Sequence, residues 1–109
     1  MTDDINLDDT AYNLPTPRFP LGQCLATQGA LGALEDNHTH AIVYLKRHES
    51  GDWGDLTAMD KMLNEAAIDC DPEKSARIMS KYKLPDGQAI YVITEWDRSV
   101  TTVLLPSEY

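Results

Sequence analysis

The hydrophobic pattern of this chain changes its period once, near Arg77, from about 3.6 residues to about 2, and few folds accommodate such a switch. After it, "RIMSKYKL" sets Ile78, Ser80, Tyr82 and Leu84 against Arg77, Met79, Lys81 and Lys83. "QAIYVIT" is β-branched and aromatic, and "VTTVLL" follows it. Pro85-Asp86-Gly87 joins the first two segments as a hairpin turn, and Trp96-Asp97-Arg98-Ser99 joins the last two as a four-residue loop. These signals predict a three-stranded antiparallel meander. The nearly all-apolar "AIYVI" is its central strand, covered on at least one face by what precedes it.

What precedes it reads as helices. "GQCLAT", around Cys24, is a short strand that can pair at one edge of the sheet. Thr27 then N-caps "QGALGALED", a helix weakened by Gly29 and Gly32 and broken at Asn37 and His38. A second helix runs from about Thr39 to His48, with Ala41, Tyr44, Leu45 and His48 on one face. Lys46, Arg47 and His48 occupy its last turn, where the helix dipole favours cations, and Gly51 is placed as its left-handed stop. A third helix starts at a capping box of Thr57 and Asp60. Its stripe of Met59, Met62, Leu63, Ala66, Ala67 and Cys70 is assigned to the core, and Pro72 allows at most one further turn. The fold class is therefore α+β, with two to three helices packed on a three- to four-stranded antiparallel meander. Residues 1–18, acidic and ending in Pro-x-Pro, read as an extended or disordered arm, and residues 19–109 as a single α+β domain.

Nine Lys+Arg stand against eighteen Asp+Glu, a net charge of −9. Four of the acids are Asp3, Asp4, Asp8 and Asp9, so from Arg18 onward fourteen acids still face nine bases. Broad nucleic-acid binding is not expected, because phosphate contacts rest on Lys and Arg. Such a surface suits solubility, a basic protein partner, or mimicry of nucleic acid. No apolar run approaches the ~20 residues that span a bilayer, and the acidic N-terminus does not look like a signal peptide, which places the chain in the cytoplasm with no membrane partner. Cys24 and Cys70 lie in a strand and on a helix face without metal-ligand spacing, and are expected as buried free thiols.

Two stretches carry the candidate chemistry, "KRHESGDWGDL" from Lys46 and "WDRSVTT" from Trp96. If the helices cover the sheet, the two meet. A histidine base at His48, Arg98 to stabilise a pentavalent phosphate and the Thr101 hydroxyl to hold it would suffice for metal-independent RNA cleavage by a 2′-hydroxyl. The same residues have a structural reading, in which His48 caps its helix, Arg98 pairs with Asp52 or Asp97, and Thr101 and Thr102 are strand formers. As a binding surface, the region offers Asp52, Trp53, Asp55 and Asp60, with Trp53 either a lid on the core or an exposed anchor. His38 and His40 near Asp36 read as exposed polar residues; no metal and no cofactor is expected, and no P-loop, dinucleotide fingerprint or serine elbow is present.

"PLGQCLATQGALGALE", "LKRHESGDWGDL" and "RIMSKYKLPDGQAIYVITEWDRSVTTVLLPSEY" together resemble the short bacterial proteins labelled plasmid-related, found on plasmids and integrated mobile elements. The resemblance covers about residues 19–109 and implies a genomic setting without a mechanism. In that setting an acidic chain of this kind is expected to act as an accessory protein that binds a basic host or defence-system protein, such as a restriction or CRISPR complex. A second likeness is to the toxin ribonucleases of the barnase, EndoU, colicin and RelE group, through a Lys/Arg-His pair before a Gly-containing turn, a helix, and a meander with a late Ser/Thr. It implies His48, Arg98 and Thr101 as catalytic residues, and the charge of −9 opposes it.

Overall fold

A computed structural model describes residues 16–70 and 74–109. In chain order its elements are β1 (Gln23–Ala26), α1 (Gln28–Asp36), α2 (Ala41–Glu49), α3 (Ala58–Asp69), β2 (Ile78–Lys83), β3 (Ala89–Thr94), β4 (Val100–Leu104) and a 3₁₀ turn at Pro106–Glu108. The arm expected over residues 1–18 lies outside the described residues up to position 15, and so does the turn expected at Pro72. Arg18 belongs to the body: its backbone N–H donates to the Glu49 carbonyl at 2.7 Å.

The sheet has the order β1-β4-β3-β2. β2, β3 and β4 form the antiparallel meander that the period-2 segments predict. β1 joins it parallel to β4, so the sheet is mixed, a correction to the purely antiparallel expectation. The physical reason is the connection: α1, α2, α3 and two further strands intervene, and a long crossover permits a parallel pair where a tight turn would not.

α1 and α2 cover one face of this sheet. Thr27 Oγ1 caps α1 by accepting from the Ala30 N–H, and α1 buries Ala30, Ala33 and Leu34. α2 buries Tyr44, Leu45 and His48 and stops at Gly51, whose φ of +90° suits glycine. All of these buried residues but His48 join Tyr82, Leu84, Ile90, Val92 and Val103 in the larger apolar cluster. A smaller one gathers Phe19, Trp53, Ala67 and Ile78.

α3 sits elsewhere. It lies against the edge of β2, where the outward-facing backbone groups of an end strand need partners. Asn64 supplies them at Met79, donating from Nδ2 to the carbonyl at 2.7 Å and accepting from the N–H at 3.2 Å. Two residues on, the Asp55 N–H donates to the Lys81 carbonyl at 2.6 Å and the Lys81 N–H donates to the Trp53 carbonyl at 3.2 Å. Gly54, between them, is at φ +72°, and a Cβ there would stand 2.0 Å from the Lys81 carbonyl oxygen. Only glycine lets the loop approach so closely.

That position overturns the assignment of the α3 stripe to the core. Of its six residues only Ala67 is buried and Cys70 is half-buried, whereas Met59, Met62, Leu63 and Ala66 are exposed. The sheet face is already occupied by α1 and α2, so α3 docks through the narrow line of Asn64 and Ala67 and turns its methionines outward. The thiols are corrected too: Cys24 is exposed, because β1 is a four-residue edge strand.

Asn64 is 5% exposed, and replacing it by leucine strands both Met79 backbone groups. The expected loss is about 2 to 4 kcal/mol, read as a lower urea midpoint at unchanged slope. A loss within experimental error would show that water replaces the amide at this edge.

Candidate functional site

His48 faces the sheet from the last turn of α2, and its surroundings decide its chemistry. It is 0% exposed, with Phe19 and Trp53 edge-on to its ring at centroid distances of 5.2 and 5.9 Å. Nδ1 lies 2.6 Å from Ser80 Oγ on β2, and Nε2 lies 3.0 Å from Thr94 Oγ1 on β3. Thr94 Oγ1 is 2.6 Å from Thr101 Oγ1 on β4, and Thr101 Oγ1 is 2.7 Å from the Leu21 carbonyl.

The direction of this chain follows from its end. A carbonyl only accepts, so the Thr101 hydroxyl donates to Leu21. Thr101 then accepts from the Thr94 hydroxyl, and Thr94 accepts from the Nε2–H of His48. Nδ1 is left without a proton and accepts from Ser80. Neutral imidazole satisfies every member; an imidazolium would turn the Ser80 hydroxyl into an acceptor, take away its proton's partner at Nδ1 and bury a charge. Burial, aided by the nearby Arg98 charge, lowers His48 to a pKa of about 3.

Of the residues proposed for ribonuclease chemistry, the structure brings His48 and Thr101 together through Thr94 and encloses both at 0% exposure. Arg98 is at φ +61° in the β3–β4 loop, where it clamps its surroundings. Its Nη1 donates to the carbonyls of Ala76, Glu95 and Trp96 at 2.8, 3.1 and 3.2 Å. Its Nη2 donates to Ser75 Oγ at 2.6 Å and to the Ala67 carbonyl at 3.2 Å. Burial lowers Arg98 from its ordinary value, with Asp97 opposing. The guanidinium is therefore committed to joining the last turns of α3 to the start of β2 and to its own loop.

The expected pairing of Asp52 with Arg98 is replaced by a local one. Arg47 Nε donates to Asp52 Oδ2 at 2.6 Å, across the turn at Gly51, and this bond is the first cause of the lowered Asp52 carboxyl. Arg47 also stacks over Tyr82 at 4.5 Å. A return of five residues costs far less chain entropy than bringing in a loop from the other half of the molecule.

Of the binding candidates, Asp52 and Asp55 are exposed, and Asp60 is half-buried. Trp53 takes the lid alternative: it is 4% exposed and its Nε1–H donates to Glu65 Oε2 at 3.0 Å. Glu65 in turn receives Arg18 in a two-point pair at 2.9 and 2.8 Å. The exposed tryptophan is Trp96, at 56%, at the start of the second candidate stretch.

Beside it lies a cleft of about 480 Å³ between Arg18–Pro20, the end of α3 and the Trp96–Arg98 loop. Its polar groups are already engaged, Arg18 by Glu65, Arg98 by carbonyls and Asp97 by Ser99, so it offers apolar walls of Phe19, Ile68 and Trp96. Among the described residues no three His, Cys, Asp or Glu side chains gather as a metal would need. No helix there is long and apolar enough to cross a membrane.

The His48 pKa has a stability consequence with a definite sign. An unfolded histidine titrates near 6.5 and the folded one near 3, so between these values the unfolded state binds the extra proton. The contribution is complete above the unfolded value and erodes as pH falls towards the folded one. Its total is on the order of several kcal/mol, at ~1.4 kcal/mol per unit. Between pH 6.5 and about 5, above the carboxylate range, wild type should lose stability with falling pH, and the slope should flatten in His48→Gln. Equal slopes in both proteins would show that His48 titrates normally. Ring ¹⁵N shifts supply an independent check, with Nε2 protonated and Nδ1 bare.

No protein-family model, no curated protein and no solved structure matches this chain.

Proposed function

We propose that this chain is a non-catalytic accessory protein of a plasmid or other mobile element, working by binding a basic protein. The partner class is a nucleic-acid-handling host or defence component, such as a restriction or CRISPR complex. The genomic setting rests on the resemblance to plasmid-related proteins. The partner's charge rests on the following observation.

All four arginines have partners within the chain, although Arg18 and Arg77 are exposed. Arg18 is held by Glu65, Arg47 by Asp52, Arg98 by carbonyls, and Arg77 lies 4.9 Å over the ring of Tyr109. The acids outnumber the bases two to one, and Asp55 and Asp69 stand in solvent. The field the molecule presents is negative, and it attracts a positive surface. The ribonuclease reading has less support, because an attacking 2′-hydroxyl needs access to a ring nitrogen that here is enclosed and already bonded.

The test is co-expression with a panel of restriction and CRISPR systems, read as survival of a targeted plasmid, with purified complexes titrated in parallel. Protection by at least one system is expected, with direct binding that weakens as salt rises and is lost in Asp55→Lys/Asp69→Lys. Neither protection nor salt-sensitive binding across the panel would overturn the reading. An RNA-cleavage assay runs alongside; cleavage abolished by His48→Ala in a folded protein would restore the enzyme in its place.

A further inference from the structure

α3 is amphipathic about a face that the fold does not use. Met59, Met62, Leu63 and Ala66 recur at i, i+3, i+4 and i+7, the spacing of one helical stripe. Met59, Met62 and Leu63 are 65%, 66% and 60% exposed, and no described residue covers them. Asn64 and Ala67, on the neighbouring face, are the residues that hold the helix to β2. The stripe continues into a shallow groove between Leu63, Ala66 and Cys70 on the helix and Lys74, Ala76 and Arg77 on the chain leading into β2. A contiguous apolar patch of this kind marks an interaction site more often than a lone exposed side chain does. Methionine, unbranched and polarisable, suits a surface that must fit a partner's side chains.

The charges around the stripe narrow what fits it. Among the described residues from Asp55 to Arg77 there are four acids and three bases, a slight acid surplus within a chain of net −9. The last turn of α3 holds Asp69 and no basic residue; its Ala67 carbonyl is met by Arg98 from the β3–β4 loop, which leaves Asp69 as the exposed charge at that end. A second copy of this chain would bring a net −9 against −9, and the N-terminal segment would bring Asp3, Asp4, Asp8 and Asp9. Both are the wrong sign. We infer that the outward stripe of α3 is a docking surface for a partner-protein helix whose apolar face is bordered by lysine or arginine. The inference rests on the binding function proposed above and gives it a location. Asp60 and Asp69 lie on α3 within reach of the partner's flanking cations, while Met62 and Leu63 take its apolar side chains.

The experiment uses the full chain with its methionine methyls labelled for NMR, so that Met59 and Met62 report directly. Three synthetic peptides are titrated: leucine and lysine at helical spacing, the same composition scrambled, and leucine with glutamate at helical spacing. The first should shift both methyls and bind at least about tenfold more tightly than the other two, a difference of about 1.4 kcal/mol. Leu63→Glu should weaken it by a similar factor and leave the melting temperature unchanged, since that side chain is 60% exposed.

Four results would overturn the inference. If the basic peptide binds and the methyls do not move, the docking surface lies elsewhere and the binding function survives. If neither basic peptide binds, both readings fall. Methyl shifts that depend on protein concentration alone would assign the face to a second copy. Shifts altered by deleting residues 1–15 would assign it to the N-terminal segment.

Discussion

Five groups in a row, Ser80, His48, Thr94, Thr101 and the Leu21 carbonyl, tie the helical half of this chain to its sheet. They reach from α2 across β2, β3 and β4 to the segment before β1, so one run of hydrogen bonds spans elements that are far apart in sequence. Buried polar groups are costly when any member is unpaired, and here the run is complete only for a neutral imidazole in one tautomer. It also fixes register. A one-residue slip of β2 would swap Ser80 for Met79 or Lys81 beneath the ring, and a slip of β3 would replace Thr94 by Ile93. The His48 ring stacks edge-on against Phe19 and Trp53, so the same side chain seats the smaller apolar cluster.

Once α1 and α2 have covered the sheet face, α3 has one useful place left, the exposed edge of β2. There it acts mainly through Asn64, whose amide pairs with Met79 as a neighbouring strand would, while Trp53 and Asp55 do the same for Lys81. Covering an edge needs a narrow contact line and leaves most of a helix surface unused. An independent domain would be expected to carry polar residues on that unused surface. α3 carries Met59, Met62, Leu63 and Ala66 instead. The fold gives no reason for them.

Local signals were legible in the sequence and distant geometry was not. Thr27 and Thr57 cap their helices, Gly51 stops α2, and the meander pairs in the predicted order, because each depends on residues a few positions apart. The α3 stripe was also legible, but periodicity reports that a helix has an apolar face, not what covers it. Burial was assigned where exposure was the fact. The Asp52–Arg98 pair failed for a related reason: opposite charges in two interesting motifs invite pairing, but Arg47 was already within reach of Asp52 across the helix stop. Asn64, and the role of Ser80 on the inward face of β2, are not legible in the sequence, since a single polar residue in an apolar pattern does not show that its partners are buried.

The acid surplus and the α3 stripe complement each other physically. Long-range attraction by a net negative surface raises the rate of encounter with a basic partner and weakens as salt screens it. It adds little to the lifetime of a complex, which depends on desolvated apolar contact. Arg77 lines the groove beside the stripe and lies over the Tyr109 ring, while Arg18, Arg47 and Arg98 meet partners elsewhere in the chain. In the proposed reading the two properties divide the work of recognition: charge brings a basic helix to the molecule, and the Met62–Leu63 surface holds it there. Neither property touches the His48 network, so the binding surface can change in sequence without altering the interactions that make the domain fold.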